Sequence, residues 1–280
     1  MKRIFFNAKR FDISPERGGV NRIAPMKEWG AHIIRSTQDK LKAYSQNAEF
    51  VMFLPEAHLL SAEAARVPGS PIKLGSQGVY RMDTAPGGNF GAFTTNRTAN
   101  AVIEMGCEYT IIGHCEERND KLGILEEAGV NDTAAVNRIL NAQIKAAHTA
   151  GLSVLYCIGE KSEELQDWEK VLGMQLDVGL EGVDTKKVVI GYEPVWSIGP
   201  GKTPADKDYI IKIARFIKER VPGIDVVYGG GLKEENAGML AGIPEIDGGL
   251  IALTRFSGEI GFYPEEYLEI IKRYLEEVGI

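Results

Sequence analysis

Cysteine is scarce in this chain: Cys107, Cys115 and Cys157 are the only three in 280 residues. An odd number without metal-ligand spacing argues against a disulfide framework or a zinc site, so reduced thiols are expected. Long apolar runs are also missing. None reaches the roughly 20 residues that span a bilayer, and the charged start MKRIFFNAKR has no signal-peptide apolar core. A cytoplasmic protein with no membrane partner is expected. No dinucleotide-binding glycine fingerprint occurs. The run GPGKT at 199–203 has the tail of a phosphate-cradling P-loop, but the first glycine of that motif would fall on Trp196. Neither a cofactor nor a metal is expected. There is no basic excess either: 39 acidic and 32 basic residues give a net charge of −7, which argues against a nucleic-acid partner.

What is present is an ordinary 44% hydrophobic content, arranged in alternation. Short apolar or β-branched runs predict strands over 4–7, 50–54, 72–75, 109–113, 153–157, 188–192, 225–228 and 249–253. Helical-period segments predict helices over 26–46, 97–105, 133–150, 162–175, 206–220, 234–240 and 264–274, with a weaker one over 59–65. Asp132 stands ready as an N-cap, Pro264 with two following acids opens the last helix, and Gly151 and Gly182 follow helix ends.

About eight strand–helix pairs without a composition break imply an α/β protein with a parallel sheet under helices. Length and repeat number favour one closed (β/α)8 barrel domain over residues 1–280, with a doubly wound open sheet as the alternative. Closure would bring Lys9, His114 and Glu193 to one mouth, since each falls at the C-terminal end of a predicted strand.

The richest stretch is GYEPVWSIGPGKT at 191–203. A buried strand there delivers the Glu193 carboxylate directly before a Gly- and Pro-rich loop able to hinge at both ends. A positioned base under a flap that expels water is what proton abstraction from carbon requires. A strand-end Glu can equally be a structural salt bridge.

This segment does not stand alone. With NAK at 7–9, IIGHCE at 111–116, DVVYGGG at 225–231 and IDGGLI at 246–251, it resembles the triosephosphate isomerase family over nearly the whole chain. The resemblance implies a TIM barrel and a cofactor-independent aldose–ketose isomerase of glycolysis and gluconeogenesis, acting on a small phosphorylated sugar as a homodimer. In that scheme Glu193 moves the proton and His114 polarises the carbonyl as neutral imidazole, which a helix starting just after it, suggested by the run CEERND at 115–120, would favour. Lys9 and Asn7 hold the anionic substrate, and Glu116 orients the site by pairing with Lys9. Gly199 and Gly231 match positions whose backbone N–H groups grip phosphate.

Several positions depart from the family pattern. Ala252 and Leu253 occupy a phosphate-contacting place where the family has a Gly-Gly pair leading into a short helix, and Gly231 stands where Ser is usual. Arg255 is therefore a candidate substitute ligand. Cys115 replaces a Ser and Glu117 an Arg; the latter reverses a charge and is expected to disturb helix or subunit contacts. Extra length is expected in three loops, at 10–20, 80–89 and 119–131. These departures keep two alternatives open: an isomerase of another short sugar phosphate such as a tetrulose phosphate, and a non-catalytic sugar-phosphate-binding barrel.

Overall fold

The computed structural model describes residues 1–198 and 202–280. Its strands are β1 (Lys2–Asn7), β2 (Ala48–Leu54), β3 (Ile72–Ser76), β4 (Cys107–Ile112), β5 (Ser153–Ile158), β6 (Val188–Tyr192), β7 (Asp225–Tyr228) and β8 (Gly248–Ile251). They pair in chain order, all parallel, and β8 returns to β1 with Gly249 opposite Ile4. No edge remains, so the barrel is closed and the open-sheet alternative falls.

Alternation along each strand divides the apolar residues into two sets. Phe5, Phe53, Tyr109, Leu155, Val189 and Val227 belong to a cluster inside the barrel. Their neighbours Ile4, Phe6, Met52, Ile190 and Val226 belong to the larger layer under the helices. Following the inner set toward the C-terminal ends leads from Phe5 to Asn7, and from Val189 through Gly191 to Glu193. Parity alone therefore aims these two polar side chains into the mouth.

The helices are α1 (Trp29–Leu41), α2 (Glu56–Ala65), α3 (Ala99–Glu104), α4 (Cys115–Glu127), α5 (Thr133–Ala150), α6 (Trp168–Gly179), α7 (Lys207–Arg220), α8 (Ala237–Ala241) and α9 (Pro264–Glu277). Asp132 caps α5 by accepting the Ala135 N–H, and Gly151 ends it in the left-handed conformation, as expected. The expected helix over 26–46 is α1 flanked by tight 3-10 turns. The one expected over 162–175 begins as a 3-10 turn and becomes α6 only at Trp168. Strand β8 stops at Ile251, which leaves Ala252 and Leu253 beyond it.

The expected loop over 119–131 is a correction: most of it lies within α4. No residue of α4 is buried, so it carries no apolar stripe that periodicity could reveal. Its start is instead secured by polar capping, described below.

Charges at the opposite end of the barrel are tied up. Arg3 bonds Asp225 at 2.9 Å and also pairs with Glu49, which takes Lys73 at 2.7 Å and the Tyr109 hydroxyl at 2.9 Å. That end is a mutually neutralised plug beneath the inner apolar layer. Truncating the layer tests its contribution: Leu155→Ala removes a fully buried side chain and is expected to lower unfolding free energy by about 2–5 kcal/mol in urea melts. A loss under about 1 kcal/mol would mean the interior is not tightly packed.

Candidate active site

Glu193 is one residue past β6, yet its N–H still donates to the Ile158 carbonyl at 2.8 Å, so the strand geometry holds it. Two glycines allow the close approach of neighbouring chains. A methyl group on Gly159 would stand 1.8 Å from the Glu193 carbonyl oxygen, so only glycine fits there. Gly229 donates its N–H to the Tyr192 carbonyl at 2.6 Å and lies against the Glu193 side chain. The carboxylate is 2% exposed. One oxygen accepts the Cys115 N–H at 2.9 Å, and the other is 3.4 Å from His114 Nε2. Burial raises the Glu193 pKa above the ordinary carboxylate range, against the opposing pull of His114 and the Cys115 amide.

His114 is the N-cap of α4. Its Nδ1 accepts the Glu116 N–H at 3.3 Å, which makes Nδ1 the unprotonated nitrogen and leaves the proton on Nε2, facing Glu193.

Lys9 has φ +40°, a left-handed conformation unusual for a side chain of its size. The surroundings over-determine it. Its N–H donates to Asn7 Oδ1 at 3.1 Å, and Gln77 donates to its carbonyl at 3.0 Å. The buried Asn7 thus shapes the turn that carries Lys9. The Lys9 ammonium bonds Glu116 at 2.8 Å, and the second Glu116 oxygen is 3.8 Å from His114 Nδ1. Partial burial works against ionisation of Glu116, but Lys9 outweighs it and holds that carboxyl below its usual range.

Lys9, Glu116, His114 and Glu193 therefore form one continuous chain of contacts at the mouth. A carboxylate with a raised pKa, an N–H donor and an ammonium, all converging, can take a proton from carbon while stabilising charge on an adjacent oxygen. His114, Cys115 and Glu193 also bring three metal-type donor atoms within 4.8 Å of one another. Two features fit a metal poorly. Nδ1 is already engaged by an amide, and burial, with Glu193 beside it, pushes the Cys115 thiol up to about 12.

Three supporting residues escaped the sequence reading. Glu160, buried at the end of β5, accepts the Tyr192 hydroxyl at 2.9 Å, Trp196 Nε1 at 2.8 Å and the Tyr209 hydroxyl at 3.1 Å. It anchors the start of the segment after Glu193, and its place at a strand end, like that of Glu193, was a usable signal. Arg118 donates to the Gly113 and Cys157 carbonyls, to Asn137 and to the Tyr156 hydroxyl, locking α4 onto β5. Gln77 holds Lys9 as described.

The expected disturbance of the helix at Glu117 is corrected. Its carboxylate accepts the Gly113 N–H at 2.7 Å and pairs with Gln143 and Lys121, so the reversed charge reinforces the start of α4.

Among the expected phosphate contacts, Gly199 lies outside the described residues. Gly231 has φ +100° and follows β7 at the mouth. Ala252 and Leu253 are half-buried just past β8. Beyond them the chain forms an antiparallel bridge between Arg255 and Gly261, where the family pattern has a short helix. Arg255, the candidate substitute ligand, is paired with Glu266 on α9 and stacks 3.9 Å over the Tyr263 ring.

Fold and site together define a closed parallel (β/α)8 barrel carrying an acid–base site at the C-terminal mouth, where such barrels place their chemistry. A family model described as triosephosphate isomerase matches residues 26–272, starting beyond Asn7 and Lys9. The triosephosphate isomerase of Prosthecochloris aestuarii is 33% identical over 245 residues, 84% of this chain and 87% of the relative. That of Halorhodospira halophila is 31% identical over 252 residues, 85% and 90% of the two chains. The chain belongs to the triosephosphate isomerase family. The crystal structure of triosephosphate isomerase from Bartonella henselae shares the fold with a TM-score of 0.71, covering 98% of this chain and 99% of that one at 24% identity.

Gly159→Ala probes the positioning of Glu193. The added methyl must displace the Glu193 backbone, and a shift of about 1 Å at a reacting group costs about a hundredfold in rate. Turnover is expected to fall by about that factor while the thermal transition survives. Unchanged turnover would show that this contact does not set the geometry.

Proposed function

We propose that this chain interconverts glyceraldehyde 3-phosphate and dihydroxyacetone phosphate through an enediolate, without a cofactor. The observation that carries this reading is the unbroken contact series from Lys9 through Glu116 and His114 to Glu193, in a chain of this family. Glu193 takes a proton from the carbon beside the carbonyl and returns it to the neighbouring carbon. Neutral His114 donates its Nε2–H to the carbonyl oxygens as charge gathers there. Lys9 supplies fixed positive charge to the enediolate and the bridging phosphate oxygen, and Asn7 sets its approach. Glu116 keeps the ammonium in place. Backbone N–H groups of Gly231, Ala252 and Leu253 face the phosphate, and Gly199 is assigned to it by the family resemblance alone. Residues 1–280 act as one isomerase domain.

We also propose a cytoplasmic homodimer. No helix of the described residues is long and apolar enough to cross a membrane. The loop after β3 supports the dimer: Arg97 pins its base to the Gly78 carbonyl, while Phe90 near its tip is 92% exposed and Met82 is also exposed. An apolar tip on an anchored loop suits insertion into a second copy. Removing residues 86–92 is expected to shift the sedimentation mass from dimer to monomer. A wild-type monomer would overturn the assembly.

Turnover of purified protein on both triose phosphates, compared with a tetrulose phosphate, tests the activity. Interconversion of the trioses is expected; a higher kcat/KM on the tetrose would move the substrate, and none on either would favour a binding barrel. Glu193→Gln is expected to lower kcat/KM by about 10²–10⁴. The pH profile has a definite sign. The base works deprotonated, and burial raises its pKa, so activity should fall with acidification at a pH above the ordinary carboxylate value of about 4.3. A limb at or below that value would contradict burial of the working carboxylate.

A further inference from the structure

Behind Lys9 lies a buried acid that the proposed chemistry does not use. Asp12 follows Lys9 closely, in the segment where extra length was expected, and its side chain is fully buried. A carboxylate taken out of water is costly unless partners meet it. Two do so, both at Oδ2: Arg10 donates from 2.8 Å and His58 Nε2 from 2.9 Å. Oδ1 is buried without a hydrogen-bond partner among the described residues. Loss of either donor would leave the group further undercompensated, so the three side chains hold one geometry.

His58 is anchored independently of this loop. It stands in the first turn of α2, where its N–H donates to the carbonyl of Pro55, the residue directly after β2, at 2.9 Å. Its ring packs with Trp29 at the start of α1, centroids 5.0 Å apart. A methyl group on Gly30 would stand 2.8 Å from His58 Cβ, so α1 and α2 close tightly around it. Strand β2 in turn pairs with β1, Phe53 opposite Asn7. The bond from His58 to Asp12 therefore ties the loop to the barrel wall.

The loop carries that hold to Lys9. Residues 8–11 form a turn closed by the Phe11 N–H on the Ala8 carbonyl at 3.0 Å, with Lys9 in its left-handed conformation inside it. Asn7 and Gln77 brace the strand side of the turn. Arg10 and Asp12 brace the far side. From Lys9 to Asp12 the backbone spans at most about 10–11 Å, which leaves little slack to absorb a shift of the aspartate. The remainder of the loop closes on the same residue: Asn21 donates its side-chain amide to the Asp12 carbonyl at 3.0 Å and its N–H to the Ile13 carbonyl at 2.8 Å. A backbone conformation as rare as that of Lys9 persists only where its surroundings over-determine it.

We propose that the buried Asp12–His58 pair is a positioning device that aims the Lys9 ammonium at the anionic substrate. Neither residue touches substrate; both act through the turn that carries Lys9. The inference rests on the reading of Lys9 as a substrate contact, but one arm of its test does not depend on that reading.

The test measures hydrogen exchange at the Lys9 and Phe11 amides in the intact protein, and calorimetric affinity for phosphoglycolate, a phosphate ester with a carboxylate where the enediolate would lie. His58→Leu keeps an apolar body and removes the donor to Asp12. It is expected to speed exchange at both amides at least tenfold and to weaken phosphoglycolate about tenfold, the usual scale for a charge-assisted hydrogen bond. His58→Gln restores an N–H donor and should recover most of both. Leu41→Ala opens the buried core beside α1 and should leave both quantities near wild type. Wild-type exchange and affinity in His58→Leu overturn the proposal. Equal changes in Leu41→Ala overturn it too, because lost stability rather than lost aim would then be the cause. Should His58→Leu fail to fold, Asp12→Asn takes its place, and wild-type exchange and affinity there are equally fatal. A wild type that neither binds phosphoglycolate nor turns over triose phosphates sinks the proposed activity, while amide exchange at Lys9 still decides whether the pair holds the turn.

Discussion

A carboxylate withdrawn from water and held without a full counter-ion is the constraint around which this mouth is built. Glu193 is buried, so its charged form is unfavourable until donors meet it. The Cys115 N–H on one oxygen and the nearby His114 ring supply only part of what water supplied. The remaining deficit is the useful quantity, because it leaves the group a stronger base than an exposed glutamate. More of the structure serves this arrangement than the site alone suggests. The Cys115 N–H is free to point at Glu193 because α4 begins there, where the first amides of a helix have no internal partner. The start of α4 is fixed in turn by Glu117 on the Gly113 N–H and by the four-way engagement of Arg118. The same helix start provides the Glu116 amide that sets the His114 tautomer. One capped helix terminus thus governs both Glu193 and His114, the proposed base and its proposed electrophilic partner.

Charge is handled differently at the two ends of the barrel. Beneath the core, Arg3, Glu49, Lys73 and Asp225 cancel one another at short range. At the mouth, Lys9 and Glu116 pair but stay at the rim, with Glu116 more than half exposed. Strain follows the same division. The left-handed backbone of Lys9 is held in place by Asn7 and Gln77, a cost that makes sense where the direction of an ammonium matters.

How much of this could be read from the sequence depends on whether a feature is carried by periodicity, by position or by long-range pairing. The strands were legible because the barrel interior and the helix layer impose period two on apolar residues. Strand ends then placed Glu193, His114 and Lys9 at one mouth, and the Lys9–Glu116 pair followed from the family resemblance. The run after His114 marked where α4 starts, but its extent was illegible to periodicity because the helix buries nothing, and its start is held by the charged residues Glu117 and Arg118. The fate of Arg255 was equally hidden. Its partner Glu266 lies eleven residues on, in α9, and only the antiparallel bridge to Gly261 brings the two together.

The loop beyond β8 departs from the family pattern where a phosphate contact is expected. Ala252 and Leu253 add side chains where bare backbone could otherwise approach a phosphate, and the chain then turns into a bridged hairpin fastened to α9 through Thr254 and Arg255. That fastening engages Arg255 with Glu266 and places Phe256 against Lys233 on the neighbouring loop. The field at a pocket depends on the few groups that face it. The acidic balance of the whole chain is screened over about 8–10 Å at physiological salt. An anion at this mouth therefore responds to the local lysines and amides far more than to the net charge of −7.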